Sequence, residues 1–278
     1  MTTALSRADL LTQLQERARH MRRDIVDMVY AANSGHPGGS LSSADILAVL
    51  YGHVLRHDPK QPSWPDRDRF VMSKGHASPL MYAALGEAGY FSKDLFPGFR
   101  SFGSILQGHN DATQVPGVEM SAGSLGMGLA FGMGHALAAK LDGKAYRTYV
   151  LLGDGELQEG QIWEAAMSAP FHKLSNLTAI VDRNHIQNDD FVEATTLLEP
   201  LADKWRAFSW HVEECDGHNA GAILDALDKV RQVTDRPQVI IAHTIKGKGI
   251  SYMENNPAFH GRAPNKDEYA LALQELGF

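Results

Sequence analysis

Tyr149-Val150-Leu151-Leu152-Gly153-Asp154-Gly155-Glu156-Leu157-Gln158-Glu159-Gly160, read on to Asp182-Arg183-Asn184, decides the fold. Tyr149 to Leu152 has the apolar run of a buried strand, and Gly153-Asp154-Gly155 turns the chain. A helical pattern follows from about Glu159 to Ala169. A second strand, Leu177 to Val181, ends at Asp182-Arg183-Asn184. This is a βαβ unit with an acid at the tip of one strand and an amide at the tip of the next. Ligands of open parallel sheets sit at the carboxyl ends of the strands. One carboxylate, one amide oxygen and one backbone carbonyl just beyond Asn184 suit a hard divalent cation that keeps phosphate oxygens and water as its other ligands. Gly153 and Gly155 allow a sharp turn and close approach of a phosphate to the backbone. A plain Asp-Gly turn and a strand-ending Asn would look the same, and spacing alone does not choose between the two.

Composition narrows the class. The chain has 278 residues, 44% hydrophobic and 21% charged, with net charge −7 and pI about 6.0. These values fit an ordinary globular protein. No basic block points to nucleic acid. No apolar run approaches the roughly 18 residues of a membrane span. The N-terminus lacks the apolar core of a signal peptide. Cys215 is the one cysteine, so no intrachain disulfide forms, and a cytoplasmic location is expected.

Outward from the opening unit, strands and helices alternate. Leu10, Leu14, Ala18, Met21, Ile25 and Met28 mark a helix from about Arg7 to Ala32, with Arg17, Arg19, Arg22 and Arg23 expected on a solvated face. Asn33 to Gly39 breaks it. Ser42, with Asp45 three residues on, is expected to cap a second helix. Arg69 to Ser73 reads as a strand meeting Lys74-Gly75-His76, and a helix follows to about Ala88. Its N-terminus suits a phosphate with His76 alongside, although a capping or surface histidine is the ordinary alternative.

Residues 91–121 are irregular. Gly123-Ser124-Leu125-Gly126 opens a glycine-rich helix that lacks the dinucleotide and P-loop spacings. A helix is expected over Leu197–Phe208, a strand over Trp210–Cys215, a helix around Ala222–Val230 and a strand over Gln238–Ala242. The last strand delivers Lys246 and then His260, and a short helix ends the chain. We therefore expect one α/β domain over residues 1–278, a mostly parallel sheet with helices on both faces.

Seven separated motifs carry a resemblance. They are Ser34-Gly35-His36-Pro37-Gly38, Ser73-Lys74-Gly75-His76, Gly108-His109, Gly123-Ser124-Leu125-Gly126, Asp154 through Gly160, Asn184 with Ile186, and His260-Gly261. In this order they resemble the N-terminal, diphosphate-binding half of transketolase, in its shorter two-gene form. The resemblance implies thiamine diphosphate and Mg²⁺, with Ca²⁺ or Mn²⁺ as substitutes, in the thiamine diphosphate-binding fold. It implies metal ligation by Asp154, Asn184 and the Ile186 carbonyl. His76, Gly155, Asn184 and His260 would hold the diphosphate, with Lys246 assisting. Gly123, Ser124 and Leu125 would line the cofactor, and His36, His109 and His260 would face substrate oxygens.

The reaction implied is transfer of a two-carbon ketol unit from a ketose phosphate to an aldose phosphate. A separate pyrimidine-binding subunit is implied as well, in an α2β2 assembly, because the family's activating glutamate lies in a second domain. Asn188, followed by Asp189 and Asp190, departs from the family's branched apolar residue. Ser124 stands where full-length members often carry proline. The alternatives are a deoxyxylulose-phosphate synthase-like enzyme, a transketolase for an unusual sugar, and a non-catalytic cofactor-binding subunit.

Overall fold

The computed structural model describes residues 5–188 and 190–278. Asp189, next to Asn188, lies outside the described residues.

Helix α1 (Arg7–Ala31) starts where the Ser6 hydroxyl accepts from the Asp9 N–H at 3.2 Å. It buries Leu14, Ala18, Met21, Ile25 and Met28, as their spacing requires. Short helices α2 (Pro37–Leu41) and α3 (Ala44–Val49) follow, the second running into one π turn, Leu50–Val54. Strand β1 (Arg69–Met72) leads to α4 (Ser78–Ala88), and a long irregular segment leads to α5 (Met127–Leu141). Then come β2 (Thr148–Gly153), α6 (Gly160–Phe171), β3 (Leu177–Arg183), α7 (Val192–Thr195) and α8 (Leu201–Ala207). Strand β4 (His211–Asp216), α9 (Ala220–Arg231), β5 (Gln238–His243) and α10 (Lys266–Glu275) complete the chain.

All strand pairs are parallel, in the order β1-β2-β3-β5-β4. Side chains alternate across the sheet and seed two cores. Phe70, Met72, Tyr149, Leu151, Ile180 and Ile240 pack with α1, α3, α4 and α9. Val71, Val150, Leu152, Ala179, Val181 and Ile241 pack with α5, α6 and α8. With both faces covered, the central strands carry near-continuous apolar runs, which is why they show no two-residue alternation in the sequence. Each fully buried Val, Leu or Ile contributes roughly 1.5–3 kcal/mol. Gly132 lets α5 close on this sheet, because a Cβ there would collide with Val150.

Three local expectations change. Arg22 is buried, not solvated. Its guanidinium donates to both oxygens of Asp45, and to the Lys248 carbonyl at 3.1 Å. Ser42 is not the N-cap of the second helix: it ends α2 as its C-cap, and α3 has Ser43 at its N-cap without a side-chain hydrogen bond. Ser42 Oγ instead donates to Asp182 Oδ2 at 2.7 Å, across 140 positions of sequence. Both residues serve tertiary partners that local spacing cannot reveal. The helix expected over Leu197–Phe208 is confined to Leu201–Ala207.

Candidate active site

Strand register brings the predicted residues together. Gly153 pairs with Asp182, so Asp154 and Asn184 leave adjacent strands at the same edge. Arg183 pairs with His243 on the far side, which places Thr244 to Lys246 next to Asn184. Met72 pairs with Leu151 on the near side, which places Lys74 to His76 next to Asp154. His36 comes from the loop before α2, and His260 follows a short 3₁₀ turn, Pro257–Phe259.

These segments enclose a cavity of about 370 Å³ lined by His36, His76, Gly123, Leu125, Asp154, Gly155, Asn184, Ile186, Lys246 and His260, among others. Two predicted residues stand apart from its walls. Ser124 is exposed, and so is His109, although its charge is felt at His36. A larger, more open groove of about 600 Å³ lies beside Lys144, Arg147 and Asp235. It follows the amino ends of the strands and gathers none of the predicted residues.

One wall presents oxygens. Asp154 is 1% exposed. Its Oδ1 accepts from Gly155 N–H at 2.8 Å, and its Oδ2 accepts from His185 N–H at 2.6 Å and from Arg183 Nη1 at 3.0 Å. Burial and the nearby Asp182 charge push the Asp154 carboxyl up, against the pull of Arg183. The Asn184 amide donates to Asp182 Oδ2 at 2.9 Å, and its Oδ1 accepts from Ile186 N–H at 3.1 Å. The Ile186 carbonyl accepts from Lys246 Nζ at 2.7 Å, so an ammonium group already sits on this oxygen. Among the described residues, no group of three or more His, Cys, Asp or Glu is arranged to hold a metal ion. The oxygens this wall offers are one carboxylate, an amide oxygen and a carbonyl.

The same cavity gathers three imidazoles. Ring centroids of His36, His76 and His260 are 5.1, 5.2 and 5.5 Å apart. Burial, reinforced by neighbouring cations and histidines, lowers His36 to about 4, His260 to about 3 and His76 to about 2. All three are neutral at pH 7. Lys246 Nζ lies 2.8 Å from His260 Nδ1. An ammonium can only donate, so His260 accepts at Nδ1 and carries its proton on Nε2. Arg100 Nη2 stands 3.4 Å from His36 Nδ1 in a looser version of the same arrangement. Burial lowers Lys246 to about 8, with Asp154 pulling the other way.

Several residues of this site escaped the sequence reading. Glu156 is buried and accepts from Ser73 Oγ, from Gly126 N–H at 2.9 Å and from Gly153 N–H at 3.0 Å. It thereby ties the start of α5 to the Gly-Asp-Gly turn. Arg183 holds Asp154 and also pairs with Glu193 and with Glu199 at 2.9 Å. Lys74 forms a buried ion pair with Asp182 at 2.5 Å. Burial pushes the Asp182 carboxyl up, but the Lys74 charge and the hydrogen bonds from Lys74, Ser42 and Thr244 outweigh it and hold it at about 2. Lys74 and Glu156 sit inside motifs already quoted. Only contact in space gives them a role.

Fold and site together define an α/β domain with a polar cavity at the carboxyl edge of a parallel sheet. The family described as "Transketolase, thiamine diphosphate binding domain" matches residues 14–278. The chain is 41% identical over 263 residues to the 6-deoxy-6-sulfo-D-fructose transketolase subunit SqwG of Clostridium sp. (strain MSTE9), spanning 95% of this chain and 96% of that one. It is 42% identical to one of the subunits of the apulose-4-phosphate transketolase of Phocaeicola vulgatus, spanning 95% and 93%. Human transketolase is 38% identical, but there the match spans 96% of this chain and 42% of the larger protein. The crystal structure of the Campylobacter jejuni transketolase superposes with a TM-score of 0.91 at 37% identity, covering 96% of this chain and 43% of that one. The chain belongs to the transketolase family and carries its thiamine diphosphate-binding domain.

Proposed function

We propose that the cavity holds the diphosphate end of thiamine diphosphate around Mg²⁺, ligated by Asp154, the Asn184 side-chain oxygen and the Ile186 carbonyl. The observation that carries this reading is that Asp154, Asn184 and Ile186 line one cavity together with a cluster of half-buried, neutral histidines. A single charged ligand suits Mg²⁺ that takes its remaining ligands from phosphate and water. Ca²⁺ and Mn²⁺ are substitutes of the same oxygen-seeking kind. Gly155 fits the cradle because any Cβ there would lie 2.6 Å from Gln187 Cβ. His76 and His260 donate to diphosphate oxygens, and Lys246 orients the Ile186 carbonyl and His260. Gly123, Ser124 and Leu125 flank the cofactor. Thiamine diphosphate supplies the chemistry that breaks and remakes a carbon–carbon bond next to a carbonyl.

The chain's own residues bind and orient the sugar. His36 and His260, neutral and partly enclosed, donate to oxygens that gain charge, and His109 does so from the exposed rim. The rim residues Gly123, Ser124, Gln158 and Glu159 are exposed, which leaves one side of the site for the partner. We assign to that partner the pyrimidine-binding half, in an α2β2 assembly in the cytoplasm, with residues 1–278 as a single domain. Among the described residues no helix is long and apolar enough to cross a membrane.

Relatives named for apulose 4-phosphate and for a sulfo-sugar favour an uncommon ketose phosphate or its analogue as donor over the pentose phosphates. The test assays the purified chain, its partner and the reconstituted pair with thiamine diphosphate, Mg²⁺ and a panel of ketose phosphates. Ketol transfer by the pair alone is expected. Full turnover by this chain without the partner refutes the shared site.

A further inference from the structure

One buried carboxylate at the sheet edge takes no part in that chemistry. Asp182 ends the core of β3, is 0% exposed and does not line the cavity. Donors from four segments meet on it. Lys74 Nζ, Ser42 Oγ and Asn184 Nδ2 donate to Oδ2 at 2.5, 2.7 and 2.9 Å, and Thr244 Oγ1 donates to Oδ1. Lys74 Nζ also donates to the Gly39 carbonyl and to Ser43 Oγ, so both charges of this buried ion pair are fully partnered.

An amide has two ends of nearly equal shape, and only hydrogen bonding tells them apart. A carboxylate accepts and never donates. The NH₂ of Asn184 must therefore turn toward Asp182. At the other end the Ile186 N–H donates to Asn184 Oδ1 at 3.1 Å, which requires an oxygen there. The two contacts agree on one orientation, with the oxygen on the cation's side. With a neutral amide at position 182, the inner contact would tolerate either end of Asn184. The flipped form would aim an NH₂ at the cation.

We propose that Asp182 is the positioning residue of the diphosphate–metal site, fixing Asn184 with its oxygen toward the cation, and that Lys74 keeps this carboxylate in place. The inference rests on the reading of Asn184 as a cation ligand. Residues that orient ligands change metal affinity by roughly 10–100-fold when altered.

The test titrates MgCl₂ and, separately, CaCl₂ into the full-length chain reconstituted with its partner at saturating thiamine diphosphate, following binding by calorimetry. Asp182→Asn keeps the shape and removes the accept-only character. Its apparent Mg²⁺ affinity is expected to fall roughly 10–100-fold. Ser42→Ala and Thr244→Val remove donors from the same carboxylate but spare its bond to Asn184. They are expected to lower Tm while leaving Mg²⁺ affinity within about two-fold. If Asp182→Asn leaves Lys74 unpaired and fails to fold, Lys74→Met/Asp182→Asn removes both charges and must show the same loss. Loss of affinity in step with Tm across all variants overturns the proposal, as does unchanged affinity in folded Asp182→Asn. Asn184→Ala separates the two levels: if it too leaves Mg²⁺ binding intact, the ligand assignment itself is wrong.

Discussion

Acidifying the isolated chain from pH 7.5 to 5.5 acts on the imidazole cluster. His36, His260 and His76 titrate at about 4, 3 and 2 in the fold, against about 6.5 in the unfolded chain. Their folded values are depressed, so the unfolded state takes up protons first as pH falls. Stability is full above about pH 6.5 and drains away toward pH 4. At pH 5.5 each histidine one unit below its unfolded value costs about 1.4 kcal/mol. Three such groups would cost about 4 kcal/mol, but their depressions include each other's charges and His36 is only partly enclosed. A loss of about 2–3 kcal/mol is therefore expected. Urea denaturation at both pH values, by tryptophan fluorescence, measures it. The variant His36→Asn/His76→Asn/His260→Asn should lose that much less between the two pH values. Other histidines, such as His135, remain in both proteins and cancel. If wild type and variant lose the same stability, the cluster is neither buried nor neutral as described.

Two further outcomes are expected. Asp154→Ala removes the only charged cation ligand of the wall and leaves Arg183 facing an empty position, so Mg²⁺-dependent retention of thiamine diphosphate should vanish in a gel-filtration binding assay. Retention at wild-type level would reject the assignment. Gly155→Ala places a Cβ 2.6 Å from Gln187 Cβ, where carbon atoms prefer about 3.5–4.0 Å. The turn must move by about 1 Å, at about 1–3 kcal/mol. Cofactor affinity should fall with the denaturation midpoint, and an unchanged affinity would show that the Gly-Asp-Gly turn does not cradle the diphosphate.

Much of the architecture is legible because parallel sheets write themselves locally. Strands β2, β3 and β5 carry apolar runs at 149–152, 179–181 and 239–242, each followed by a polar tip. Their order is not local. Strand β5 inserts between β3 and β4, and nothing in the residues near Gln238 announces it. The same holds inside the site. His260 and Lys246 could be named from motifs, but not the bond between them that fixes the histidine tautomer.

The sequence by itself determined the class of site. Gly153-Asp154-Gly155, Asn184 and the histidine loops are short-range patterns, and the first two stand where strands β2 and β3 end. Tertiary structure alone decided which residues hold those groups in place. Asp182 meets Ser42, Lys74 and Thr244 across 140, 108 and 62 positions. Arg22 finds Asp45, and Arg183 finds Asp154, Glu193 and Glu199, by the same folding back of the chain. Burial is the physical reason. A charged side chain inside the protein must find its partner there, and the packing of distant segments decides which one it meets.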